Sequence, residues 1–302
     1  MVASPLNTAT APDPATLSVE HYGYFTERGF NFEHIAQIKA WGVKSITKRE
    51  ALSRGIKKYD PLAKEHLSDG GIWLPFTDAY GQVRFNTPIK TRDGKTYKYL
   101  SPATPARAWI PPGGIGIKSC SAITEGWADA AAPTVRGVRT AAIVGVYNVI
   151  YSIERGCQVP IIFDCDGWRK PQVMRALLQA SIWTDGKVNL FPYMEQYPDG
   201  GGSEFFKAGH TPADYQQLIN QAMRPEALLK AWIEHWPSLD PKEAQGAVWV
   251  ASEALQWLRN PDTLLDYLQQ CRDEKIPADK GVSSTHQPTH QDFLSQAVEV
   301  PA

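Results

Sequence analysis

From Ser121 to Tyr193 the chain alternates short apolar runs with amphipathic stretches, a rhythm that suits a parallel sheet covered by helices. SAIT, TAAIVGV, VPIIFDCDG and KVNLFPY read as strands. EGWADAAAPTVRG and PQVMRALLQASIWTDG, which lie among them, read as turn-plus-helix and helix. The strands are almost continuously apolar, as strands buried on both faces must be. The predicted fold class is therefore α/β.

The flanking regions have other periods. Phe32, Ile35, Ala36 and Trp41 recur at roughly helical spacing before a plausible stop at Gly42; a second helix follows, capped by Ser45 or Thr47 and closed by Gly55. GIWLPF, QVRFNTPIK and TYKYL are β-rich runs parted by turn residues, hence a small antiparallel meander. The expected organisation is a flexible leader (1–18), a basic α+β subdomain (19–115), a parallel-sheet domain (116–225), a helical appendix (226–275) and a polar, disordered tail (276–302). PPGGIG, residues 111–116, reads as a linker.

Composition narrows the function. Residues 1–118 hold 16 Lys and Arg against 10 Asp and Glu, and the remainder 15 against 22, so a front half of +6 precedes a back half of −7. That asymmetry suits a polyanion-binding surface beside a carboxylate-rich site, although solvated faces give the same count. The four cysteines form no CxxC pair, which argues against a zinc ribbon and implies no disulfide framework. No apolar run approaches the roughly 18 residues that cross a bilayer, and the start lacks a signal-peptide pattern, so a cytoplasmic location without membrane contact is expected. There is no GK[ST] phosphate loop, no GxGxxG after a strand and no GxSxG elbow. Cys165, set between two carboxylates, is expected to have a raised pKa and to be a poor nucleophile.

The chemistry gathers where strands should end. Glu125 follows SAIT, and Asp164-Cys165-Asp166 follows VPIIF. Carboxyl ends of parallel strands are where sites form, and a few hard carboxylate oxygens suit Mg²⁺ (or Mn²⁺), which takes its other ligands from water and phosphate. The competing reading is that the Asp-x-Asp caps the next helix. Asp129 lies on the helical face of Glu125 and is weighed as an accessory group against a solvated carboxylate. Arg169 and Lys170 are weighed as phosphate grips against surface cations. In the meander, Lys90 and Arg92 are expected at phosphate, with Tyr97 and Tyr99 able to stack bases.

SAITEGWADAAA, about forty residues ahead of VPIIFDCDGWRKPQV, resembles the Toprim signature of primases and topoisomerases, with TAAIVGVYNV lying between them. GIWLPFTDAYGQVRF and TYKYLSPATP are similar to the basic subdomain that precedes Toprim in bacterial primases. RGFNFEHIAQIKAWGVKSITKREAL fits its helical lead-in. The layout is most similar to the primase-related Toprim domain of plasmid and phage replication proteins, over residues 20–222.

The resemblance implies a Toprim-like sheet and Mg²⁺-dependent nucleotidyl transfer in DNA replication, with a single-stranded DNA template and nucleotides as partners. Asp164 and Asp166 would hold the metal, and Glu125 would be a ligand or general acid-base group. Gly126 would allow close backbone approach, and Lys98, with Arg84, Lys90 and Arg92 about it, would face template or nucleotide phosphate. Where the family has Lys-Gly-x-Asp-Asp this chain reads GGGSEFFKAGHTPADY, so Ser203 and Glu204 stand at the acidic positions and only Glu204 can serve. Without a zinc-ribbon module, independent initiation is not expected. The alternatives are a Toprim nuclease and a non-catalytic DNA-binding module. A replicative helicase is a candidate partner for the helical end, on composition alone.

Overall fold

The structure, a computed structural model, describes residues 17–56, 70–77, 80–90, 96–102, 107–145 and 148–235. The leader up to residue 16, most of the helical appendix and the whole tail lie outside the described residues. The chain divides into two compact units at Pro105/Ala106, ten residues before the boundary expected from sequence. The reason is Trp109, whose N–H and C=O both pair with Ala142 in the second unit's sheet at 2.7 and 3.0 Å, so the segment leading into PPGGIG belongs to that unit.

In the first unit, helices α1 (Val19–Thr26), α2 (Phe32–Ala40) and α3 (Lys48–Ser53) accompany an antiparallel sheet. Its strands β1 (Lys44–Ile46), β2 (Gly71–Pro75), β3 (Gly81–Lys90) and β4 (Thr96–Leu100) lie in that order, so the expected meander gains one strand. Thr47 caps α3, its hydroxyl accepting from Glu50 N–H while the Glu50 carboxylate accepts from Thr47 N–H. The buried stripe of α2 is Ile35 and Ile38; Phe32 is 75% exposed and Trp41 falls outside the helix. Proline at position 88 of β3 is tolerated because the β3–β4 register shifts between Arg84 and Ile89.

The second unit is the predicted α/β body. Strands β5 (Ala122–Glu125), β6 (Thr140–Ile143), β7 (Ile161–Phe163) and β8 (Val188–Leu190) are all parallel, in the order β6-β5-β7-β8. The chain leaves β5 outward to β6, returns to pair β7 on the other side of β5, and continues outward to β8. That reversal makes the gap between the carboxyl ends of β5 and β7 the topological switch point.

Helix α4 (Trp127–Thr134) joins β5 to β6; α5 (Val149–Ser152) precedes β7 and α6 (Pro171–Thr184) joins it to β8. Helices α7 (Gly202–Lys207), α8 (Pro212–Asn220) and α9 (Pro225–His235) follow. One face packs Ile123, Ile143, Ile161 and Phe163 on Met174, Leu177 and Leu178 of α6. Aromatic contacts run among Phe191, Phe205, Phe206 and Tyr215, and Trp127 packs on Trp109 at 5.2 Å between ring centroids.

In residues 225–235, Leu228, Leu229 and Trp232 are fully buried in this core, and the Trp232 indole donates to Trp168 O at 3.0 Å. Among the described residues no helix is long and apolar enough to cross a membrane. Trp127 is 1% exposed, so Trp127→Ala is expected to cost about 3–5 kcal/mol in denaturant unfolding.

Candidate metal centre

Three chain segments meet at the switch point. The first is the end of β5, where Glu125 is followed by Gly126 at φ 85°, a backbone that favours glycine. Gly126 donates its N–H to Ile143 O at 3.0 Å, and this turn opens α4 with Asp129 in its first turn. The second is the end of β7: Asp164 leads into a 3-10 turn, Cys165–Trp168. The third is Gly200-Gly201-Gly202 at the start of α7. A side chain at Gly201 would run into Asp164 Oδ1 and would come within 2.8 Å of Asp129 Oδ1, so only glycine lets this backbone lie against both carboxylates.

Ser203 ties the segments together. Its N–H donates to Asp129 Oδ1 at 3.0 Å, and its hydroxyl lies 3.0 Å from the same oxygen and 2.8 Å from Glu204 Oε2. Glu204 Oε2 also accepts from Gly201 N–H at 3.3 Å. Asp129, weighed from sequence as an accessory group against a solvated carboxylate, tethers α7 through Ser203. Ser203 thus bridges two carboxylates, Asp129 and Glu204.

Asp164 carries the electrostatic strain. Its Oδ1 is buried without a hydrogen-bond partner. Burial first, then the negative charges of Asp129, Glu125, Asp166 and Glu204, push its pKa well above the ordinary carboxylate value. Asp166 has a different environment, with Oδ2 2.6 Å from Lys170 Nζ, which also lies 3.7 Å from Asp199 Oδ1. Burial lowers the Lys170 pKa, but the Asp166 bond and nearby carboxylates outweigh it, leaving the ammonium strengthened. Burial likewise pushes the Cys165 thiol up, and the flanking carboxylates add to it, as expected of an inert thiol.

The structure thus gathers Glu125, Asp129, Asp164, Asp166 and Glu204 into one electrostatic cluster. Among the described residues, however, no three His, Cys, Asp or Glu side chains are arranged to hold a metal ion; Asp166 is paired with Lys170 and Asp129 with Ser203. The donor chemistry still fits a hard divalent cation: the groups are all carboxylates, one oxygen is buried and unmatched, and the excess charge is negative.

The basic residues of the first unit divide. Arg84 stacks its guanidinium 3.9 Å from the Tyr24 ring centroid and donates to Phe85 O at 3.0 Å. Tyr99 hydrogen-bonds Tyr24 through their hydroxyls at 3.1 Å. Lys98 is exposed. Lys90 ends β3, with its backbone paired to Thr96; Arg92 and the side chains of Lys90 and Tyr97 lie outside the described residues. In the second unit, Arg169 is exposed and lies over Tyr193. Sequence reasoning missed the roles of Gly201, Ser203 and Asp199. The one available signal was the run of three glycines ahead of an apolar helix.

No protein-family model and no curated protein sequence matches the chain. Its structure is similar to the crystal structure of the Aquifex aeolicus primase zinc-binding and RNA polymerase domains, with a TM-score of 0.45 and 14% identity, over 92% of this chain and 70% of that one. It is also similar to the structure of the DnaG catalytic core, with a TM-score of 0.42 and 17% identity, over 85% of this chain and 90% of that one.

Proposed function

We propose that the chain is a primase-like, Mg²⁺-dependent nucleotidyltransferase domain acting on DNA, of the kind found in plasmid or phage replication proteins. The observation that carries this reading is the buried, unpartnered Asp164 Oδ1 among further carboxylates at the switch point of a parallel sheet. When bound, Mg²⁺ would supply neutralisation and alignment of the nucleotide's phosphates. Asp164 and Asp166 would hold it, while Glu125, at the end of β5, accepts the proton of the attacking 3′-hydroxyl. Asp129 and Glu204, through Ser203, keep the Gly200–Gly202 backbone in place beside Asp164. Lys170 balances Asp166 and would meet a phosphate there. Lys98, with Lys90 and Arg92, is assigned to the single-stranded template's backbone.

The test is oligoribonucleotide synthesis on a single-stranded DNA template with Mg²⁺ or Mn²⁺. The Asp164→Ala, Asp166→Ala double variant is expected to lose more than the roughly 10- to 100-fold that removing an outer-shell partner of a metal costs. Unchanged synthesis by that variant sinks the mechanism. Cleavage of labelled DNA without added nucleotides would reassign the same centre to a nuclease.

The Lys170–Asp166 ion pair favours a second reading, a non-catalytic DNA-binding module whose acidic site is neutralised from within. Its signature is salt-sensitive DNA binding that is indifferent to Mg²⁺.

A further inference from the structure

The segment from β8 to α7, residues 191–200, begins and ends on the residues that flank Asp164. Phe191 donates its N–H to Phe163 O at 2.8 Å, and Gly200 O accepts from Cys165 N–H at 3.1 Å. The Cys165 thiol donates to Pro198 O, also at 3.1 Å. The segment is therefore an arch with one foot on each side of the central carboxylate.

Tyr193 stands on this arch with 52% of its surface exposed. Arg169, which closes the 3-10 turn after Asp166, sets its guanidinium 4.8 Å from the Tyr193 ring centroid. A second ring of the arch, Tyr197, has Lys207 Nζ 5.3 Å from its centroid. Lys170 is the next residue after Arg169, about 3.8 Å along the backbone, and its ammonium reaches Asp166. Neighbouring residues thus direct one cation to an exposed ring and the other to the carboxylates.

A tyrosine ring and a guanidinium, both reachable from solvent, form the kind of surface on which a nucleobase stacks, whatever its identity. Lys170 is a compact charge of the kind that meets phosphate. The geometry points to Arg169 and Tyr193 as the base-stacking platform for a nucleoside triphosphate whose phosphates lie toward Lys170 and the acidic centre. The phosphate end of this assignment rests on the metal-centre reading above; the base end does not.

The test is equilibrium binding of ATP, CTP and inorganic tripolyphosphate to the full chain in Mg²⁺, for wild type, Tyr193→Ala and Tyr193→Phe. Tyr193→Ala is expected to weaken ATP and CTP about tenfold, the scale of one lost stacking contact, and to leave tripolyphosphate unchanged. Tyr193→Phe should keep wild-type affinity for all three, and equal melting temperatures show that each variant folds. If Tyr193→Ala changes neither nucleotide, or weakens nucleotides and tripolyphosphate by the same factor, the platform is overturned; Mg²⁺-dependent tripolyphosphate binding by wild type would still support the metal centre. Conversely, if wild type binds no tripolyphosphate but ATP binding still falls in Tyr193→Ala, the platform stands and the metal reading fails.

Discussion

In EDTA, Asp164→Asn is expected to melt several degrees above wild type, and the variant should lose the further rise that Mg²⁺ gives wild type. Asp164 Oδ1 is buried without a donor, and its pKa is raised by that burial and by the charges of Asp129, Glu125, Asp166 and Glu204. Asparagine has the same shape but carries no charge for the neighbouring carboxylates to repel, and leaving a buried polar group unsatisfied costs about 1–3 kcal/mol, more when it is charged. Each kcal/mol moves the melting temperature by about 2–4 °C in a domain of this size.

The pH dependence follows from the direction of that shift. The folded protein holds this proton more tightly than the unfolded chain, whose group titrates near 3.8. The penalty is therefore absent below the unfolded value and grows as pH rises through the elevated folded one. Metal-free wild type should gain stability as pH falls from above the raised folded value toward the unfolded one, and Asp164→Asn should lack that part of the gain. A variant that melts below wild type in EDTA, or that keeps the full Mg²⁺-induced rise, would show that Asp164 is a structural carboxylate with a satisfied partner.

Gly201→Ala is the second large effect. The residue sits at φ −114°, ψ −151°, extended backbone that alanine adopts without strain, so any cost comes from overlap alone. The added methyl would meet Asp164 Oδ1, Asp129 Cγ and Asp129 Oδ1 together. Overpacking of this kind costs about 1–3 kcal/mol. Relieving it requires the carboxylates or the start of α7 to move, so Mg²⁺ affinity should fall with stability. Gly23→Ala is the control: it lies inside α1 with nothing within 4 Å of the new methyl and should gain about 0.5–1 kcal/mol from helix propensity. Urea melts and Mg²⁺ titrations of the two variants measure both effects. Equal behaviour of the two would rule out the close approach at Gly201.

Much of the second unit was legible because its signals are local. The continuous apolar runs ending at Glu125 and Asp164, and the helical period of Pro171–Thr184, each express a repeat that a few neighbouring residues define. The capping of α3 by Thr47 and the β-rich runs of the first unit were readable for the same reason. Phe32 has the residue type of a core position, but it is the first residue of α2 and is 75% exposed. The pairing of Trp109 with Ala142, which joins the stretch ahead of 111–116 to the second unit, leaves no trace in composition. Arg84 counted toward a basic surface, but charge counting cannot detect a Tyr24 ring sixty residues upstream under its guanidinium.

By itself, the sequence determined the elements and which of them carry acids at their carboxyl ends, since side-chain period and strand termination depend on residues a few positions apart. Only the tertiary structure decided what those acids face. The return of the chain from β6 to β7 sets Asp164 beside Glu125, and the bond from Ser203 to Asp129 spans 74 residues. Lys170 pairs with Asp166 and also lies near Asp199, 29 residues further along the chain, once the chain has folded. The electrostatics of a buried carboxylate depend on the charges and donors around it in space, and that neighbourhood exists only once the sheet has closed its order.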